Sequence, residues 1–269
     1  MIVRMPTLAV VTSALEELAP LRLAAEWDAV GLLVGSRRGQ ITRVLFCLSL
    51  TRAVAREAIE GGFDLVVTHH PLPFRPVARI TDESPTGSVL LDLASAGIAV
   101  WSSHTAWDSA AGGINDQLAE ACGLTAVAPL TRDALAPRAG FGRTGIAPLG
   151  LSVAALAGDL AARLDARCVQ VVGESAEAVG RVGIVCGSGA DGIPAALAAG
   201  CDTFLTGELR LHDALHLAAV GMNGVVLGHH ASERFSMPVM AARLADLVPG
   251  LECLASGHDA DPFLPCRDA

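Results

Sequence analysis

The sequence predicts an α/β protein made of two similar α/β lobes, and three observations predict it. Short β-branched runs alternate with Ala- and Leu-rich helical stretches from about residue 40 onward, the rhythm of parallel strands joined by crossovers. The rhythm repeats: a shift of 138 sets Arg43-Val44 on Arg181-Val182, Ala58 on Ala196, Gly62 on Gly200, Asp64 on Asp202 and Thr68 on Thr206. A second shift, of 125, sets WSSHTAWD on VLGHHASE, so that His104 falls on His229 and Asp108 on Glu233. The boundaries expected are a first lobe over 1–123, a connecting segment over 124–150 that is rich in Pro, Gly and Arg, and a second lobe over 151–269.

The elements come in chain order. The opening MIVRMPTLAVVTSALEEL reads as an amphipathic helix, because Glu16 and Glu17 end its apolar stretch without a cleavage-like site. RVLFCLSL (43–50) is a strand, and RAVAREAIEGG (52–62) a helix stopped by Gly61 and Gly62. DLVVTHH (64–70) is the next strand, succeeded by a helix near 85–96, the strand GIAVWSSH (97–104) and the helix GINDQLAEACG (113–123). The second half offers RVGIVCGS (181–188), a helix with Pro194 in its first turn, DTFLTGE (202–208), a helix near 210–219, GVVLGHH (224–230) and a helix to about 247.

Composition excludes several classes. With 52% hydrophobic and 17% charged residues, the 269-residue chain has ample material for a packed core and is not disordered. A net charge of -9 without a Lys/Arg block argues against a general nucleic-acid groove. No run of about 18 uncharged apolar residues is present to span a membrane. The seven cysteines are scattered and form no C-x-x-C pair, which reads as buried thiols in a reducing cytoplasm.

The chemistry concentrates in the histidines. His69, His70, His104, His229 and His230 all lie at predicted strand ends, where parallel α/β sheets hold their ligands. His-x-x-x-Asp and His-x-x-x-Glu at a helix start place both side chains on one face, one turn apart. Any one such histidine is more often a satisfied buried residue than a ligand. The adjacent pair His69-His70, with two H-x-x-x-[DE] pairs, makes the ligand mix of zinc, iron, manganese, cobalt or nickel instead. No G-x-S-x-G elbow is present, and Cys186 has no nucleophile signature around it. GSGADG (187–192) fits a phosphate-cradling turn or a tight strand–helix turn equally well.

The segments WDAVGLLVG (27–35), VVTHHPLPF (66–74), HTAWDSAAGGINDQLA (104–119), DTFLTGELRLHDA (202–214) and GHHASE (228–233) resemble the dinuclear-metal family of GTP cyclohydrolase I type 2 homologues. That family includes relatives of the yeast NGG-interacting factor, and the match runs in order over nearly the whole chain, in the short form without an inserted domain. The resemblance implies two divalent transition-metal ions per subunit between the lobes, and a homohexamer. It implies His69, His70, Asp108, His229 and Glu233 as ligands, with Glu233 bridging and His104 beside the site. The family's acidic residue after the first strand is Ser49 here. Such a centre implies a metal-dependent hydrolase, of GTP cyclohydrolase or phosphoesterase type, acting on a small anionic or nucleotide-like substrate in the cytoplasm. Glu208 and His212, in TGELRLH, are the candidate proton carriers or substrate contacts. The alternative is a non-enzymatic hexamer that regulates or handles metal.

Overall fold

The computed structural model describes residues 5–35 and 39–265, and the chain falls into two compact units. One unit takes the chain as far as Trp107 and again Ser236–Ala260; the other takes Asp108–Phe235 and the segment from Asp261.

The first unit opens with α1 (Leu8–Leu18), β1 (Gly31–Val34), β2 (Arg43–Cys47), α2 (Arg52–Glu60), β3 (Leu65–Thr68), α3 (Pro85–Ser95) and β4 (Ala99–Ser102). Thr51 starts α2 by accepting from Val54 N, and Ser84 starts α3 by accepting from Gly87 N, with Pro85 in the first turn. The chain leaves this unit inside the short helix α4 (His104–Ser109). Strands β2, β3 and β4 pair in parallel, and β1 runs antiparallel at the edge beside β4. All residues of β3 and β4 are buried, and so are the last four of β2, the pattern of parallel strands covered on both faces. Leu45, Val54, Val66, Leu93 and Val100 meet in the core between this sheet and helices α2 and α3.

The second unit comprises α5 (Ile114–Ala121), β5 (Thr125–Ala128), β6 (Thr131–Arg132), β7 (Gly140–Phe141), β8 (Arg143–Ile146), α6 (Val153–Arg163), β9 (Gln170–Val172), β10 (Arg181–Val185), α7 (Ile193–Ala198), β11 (Thr203–Thr206), α8 (Leu211–Ala219), β12 (Asn223–Val226) and α9 (His229–Glu233). Its six-stranded sheet has the order β5-β8-β10-β11-β12-β9, with β10, β11 and β12 parallel and the flanking strands antiparallel. Phe204, Leu217, Ile193 and Met222 are the centre of its core. The chain then returns to the first unit with α10 (Ser236–Leu247) and β13 (Glu252–Ala255), which adds to the sheet in parallel beside β2.

Two of the pairs set together by the 138-residue shift show like local geometry. Gly62 and Gly200 both end a helix at positive φ, +64° and +70°, the left-handed conformation that glycine adopts without strain. The Asp64 carboxylate accepts from Thr42 N and Arg43 N, and the Asp202 carboxylate accepts from Gly180 N and Arg181 N.

Three expectations need correction. Residues 124–150, read as a connection, supply β5 to β8, and β8 is a hydrogen-bonded neighbour of β10. Gly140, at the start of β7, and Gly142, between β7 and β8, sit at φ +139° and +58°. The stretch from 236 to 260, read as part of the second lobe, belongs to the first unit. Not all described cysteines are buried either, since Cys168 is exposed and Cys253 half-buried; Cys266 lies outside the described residues. No helix among the described residues is long and apolar enough to cross a membrane.

Candidate metal centre

In the first unit the register of the parallel strands brings the chemistry together. Cys47 is the partner of Thr68, and Thr68 the partner of Ser102, so β2, β3 and β4 end side by side. The residues just past these three ends therefore emerge at one place: Leu48-Ser49, His69-His70 and Ser103-His104. Two bonds extend the ladder past the strand, from His69 N to Cys47 O and from His70 N to Leu48 O, both 2.9 Å. Ser102 Oγ donates to His69 O at 2.7 Å, and Thr68 Oγ1 to His70 O at 2.9 Å. The backbone of the pair is thus held from both neighbouring strands.

The three imidazoles converge. His69 is buried, His70 half-buried and His104 buried, and each offers a ring nitrogen within 4.8 Å of those of the other two. Two of the rings carry a partner behind them. His104 Nδ1 donates to Asp28 Oδ1 at 2.7 Å, and His70 Nδ1 lies 2.8 Å from Ser49 Oγ. Asp28 is itself locked, because Thr105 N donates to its Oδ2 at 3.1 Å and Thr105 Oγ1 at 2.5 Å. Burial pushes the Asp28 carboxyl up, but the bonds from His104 and Thr105 outweigh it and hold it below the usual range. A carboxylate on Nδ1 fixes the tautomer and aims Nε2 outward, the arrangement of metal-binding histidines.

The second unit has a matching strand edge. Val185 pairs with Thr206, and Thr206 with Val226, so Cys186-Gly187, Gly207-Glu208 and Leu227-Gly228-His229 come next at one edge. His229 and Glu233 lie one turn apart on α9, with Nε2 3.1 Å from Glu233 Oε2; Nδ1 is 3.2 Å from Glu208 Oε1. Burial alone would lower the His229 imidazole, but the bonds and charges of Glu233 and Glu208 raise it to about 9. Ser188 Oγ donates to Glu208 at 2.5 Å, and this bond, opposed by partial burial and aided by His229, holds Glu208 below the usual carboxylate range. Gly187, at φ +59°, makes room for the pair: a Cβ there would stand 2.2 Å from Glu233 Oε1.

Asp108 is placed by a small network. Cys186 Sγ donates to Asp108 Oδ1 at 3.2 Å, Cys186 N donates to Asn115 Oδ1 at 2.9 Å, and Asn115 Nδ2 donates to Asp108 O at 3.0 Å. Complete burial, and then the charges of Asp108 and Glu233, push the Cys186 thiol far up, so it stays a neutral donor.

Of the expected site residues, His69 and His70 meet beside His104, while His229, Glu233 and Glu208 meet at the second edge. His212 does not join them: it is exposed in the first turn of α8 and makes no hydrogen bond to Glu208, His229 or Glu233. The GSGADG segment is a tight turn. The amides of Gly187 and Gly189 are committed to Ser232 Oγ and Thr206 Oγ1, which leaves them unsuited to cradling a phosphate. Asp28, Asn115 and Cys186 have no role in the sequence reading of the site, and Ser49 is noted there only as a departure. Of these, Asp28 in WDAVGLLVG and Asn115 in HTAWDSAAGGINDQLA lay in family-like segments, and Cys186 carried no such signal.

Residues 6–262 match the family model described as Duf34/NIF3 (NGG1p interacting factor 3). A Clostridium perfringens protein named as a GTP cyclohydrolase 1 type 2 homolog is 31% identical over 254 residues, covering 94% of this chain and 97% of its own. The Drosophila melanogaster NIF3-like protein 1 is 33% identical over 266 residues, covering 96% of this chain and 88% of its own. Among solved structures, a Bacillus cereus protein related to NIF3 superposes with a TM-score of 0.91 at 22% identity, covering 97% and 99% of the two chains.

Proposed function

This chain belongs to the Duf34/NIF3 family, and on that premise we propose that it is a dinuclear metal-dependent hydrolase of a nucleotide-like or phosphorylated anion. The single observation that carries the reading is the convergence of the His69, His70 and His104 imidazoles, two of them backed by Asp28 and Ser49. Three imidazoles without a cation would crowd three polar rings into a largely buried space, whereas a divalent transition metal takes this donor set readily.

The residues that would hold metal are His69, His70 and His104 in the first unit and Asp108, His229 and Glu233 in the second. When bound, two such ions supply Lewis acidity toward a phosphoryl or carbonyl oxygen and lower the pKa of a coordinated water. The chain's own residues do the rest. Two dications and two carboxylates leave the site net positive, which draws an anion to an otherwise acidic protein. Asp28 and Ser49 orient imidazoles, and Cys186 with Asn115 holds Asp108. Glu208, exposed and bonded to Ser188, is placed to carry a proton to or from solvent. His212, exposed in the first turn of α8, would contact substrate or carry a proton beside it.

The test is elemental analysis of the purified protein, then a screen of nucleotides and phosphoesters with the recovered metal restored. The expected result is two ions per chain and turnover that a chelator abolishes. A chain that holds fewer than two ions at saturating metal contradicts the dinuclear centre. Two ions without turnover on any substrate favour a metal-binding scaffold.

A further inference from the structure

Of the three tryptophans, Trp101 and Trp107 are 1% and 0% exposed, whereas Trp27 is 67% exposed. A large aromatic left in water is not unusual by itself. Its neighbours single this one out. The Trp27 ring centroid lies 5.9 Å from that of His104, and Phe74, 52% exposed, lies 6.0 Å from His104 and 6.2 Å from Trp27. Two exposed aromatic rings thus flank the imidazole that completes the three-histidine group.

The backbone that carries Trp27 is tied down. Ala25 N donates to Thr105 Oγ1 at 3.0 Å, and Asp28 takes the bonds from His104 and Thr105, so the residues on either side of Trp27 are tied to the start of α4. Phe74 stands four residues after His70, whose backbone is fixed by Thr68. The two rings are tilted by 46° at contact distance, too close to admit a third ring between them, so a flat group adds on the outer face of Trp27.

We propose that Trp27, supported by Phe74, is the ring-binding wall of the substrate site, and that it selects anions carrying a planar aromatic ring over aliphatic anions of equal charge. This rests on the metal-centre reading, because the anion would be held by the metal side of His104 and the ring by Trp27. Attraction of the charged end draws in any small anion; the aromatic wall adds a second contact that only ring-bearing ones can make.

The experiment compares phenylphosphonate with n-butylphosphonate on the metal-loaded protein, by calorimetry and by tryptophan fluorescence. Wild type should bind phenylphosphonate about five-fold tighter, with quenching of the solvent-exposed emission. Trp27→Ala should erase the preference and keep the metal content; Trp27→Phe should keep the preference and lose the quenching; Phe74→Ala should weaken it. Equal binding of the two phosphonates by wild type overturns the ring inference and leaves the metal reading standing. No binding of either one to a protein holding two ions overturns the anion site as well. If Trp27→Ala changes the oligomeric mass but not the preference, the ring pair is a contact between copies of the chain and the inference falls.

Discussion

Asp28 accepts a 2.7 Å hydrogen bond from His104 Nδ1 across 76 residues of sequence, and its own side chain is fully removed from solvent. A carboxylate buried in this way is costly unless its charge is used, and here it anchors an imidazole. Replacing Asp28 by Ala should lower metal affinity about 10- to 100-fold, the usual effect of removing such a partner. Asp28→Asn keeps an acceptor and should lose less. Competition against a chromophoric chelator, beside circular dichroism, measures both. Unchanged affinity in Asp28→Ala would remove His104 from the ligand set.

The ligands should separate by role. The family resemblance implies a bridging Glu233, so Glu233→Ala should empty or scramble the whole centre. Asp108→Ala and His69→Ala should each weaken mainly one ion. Metal stoichiometry of the folded variants decides the matter, and two ions retained in Glu233→Ala would refute the bridging role.

Arg143 supports a large, purely structural prediction. Its side chain is fully buried, with Nε and Nη2 on the Asp116 carboxylate at 2.5 and 3.0 Å, Nη1 on Gly140 O and Gly142 O, and Nη2 also on Ala110 O. All five donors are used. Arg143→Ala would take the guanidinium from three carbonyls and from Asp116, which keeps only the Gly112 amide and partial exposure to water, at a cost of about 3 kcal/mol, read as a drop in the urea midpoint. Arg143→Lys should recover little, because an ammonium cannot span the same acceptors.

Cysteine reactivity should track burial and thiol acidity. Cys168 is exposed, whereas burial pushes the Cys122 thiol up to about 12 and that of Cys253 to about 11. Only the thiolate reacts, so a brief pulse of iodoacetamide at pH 8 should label the Cys168 peptide and spare the other two. Peptide mass mapping checks this; fast labelling of Cys122 would mean that its surroundings open in solution.

Assembly is the remaining expectation from the family resemblance. The purified protein should have the mass of six chains of 27.5 kDa, and light scattering that reports a monomer at micromolar concentration would dismiss the hexamer.

Much of the site was legible because strand ends can be read locally. An apolar run that stops at His69-His70, or a His-x-x-x-Glu that starts at His229, announces itself within about ten residues. The supporting partners do not. Asp28 reaches His104 over 76 residues, and Cys186 reaches Asp108 over 78. Only the folded chain brings such pairs together, and a single sequence does not display them. The fold was legible to the same extent. β3 and β10 are nearly uniform apolar runs, whereas β13 is a four-residue edge strand whose exposure alternates, so the Glu252–Ala255 stretch carries little strand signal. Ser49 shows a different limit: the sequence marked it only as standing where the family has an acidic residue, and its hydroxyl lies against His70 as a second hydrogen-bonding partner of that cluster.

The return of the chain to its first unit at Ser236 bears on how the protein is made. During synthesis the second unit's sheet is complete once β12 has left the ribosome, while β2 still shows one bare edge of backbone amides and carbonyls. Only β13, translated after every other strand of both sheets, covers it. A nascent chain stalled or truncated before Glu252 would carry an open β-edge, the feature that recruits strands from other molecules. Once added, β13 moves the open edge from the buried, apolar β2 to a short strand of alternating exposure that begins with a charged Glu252, a less inviting template for a foreign strand.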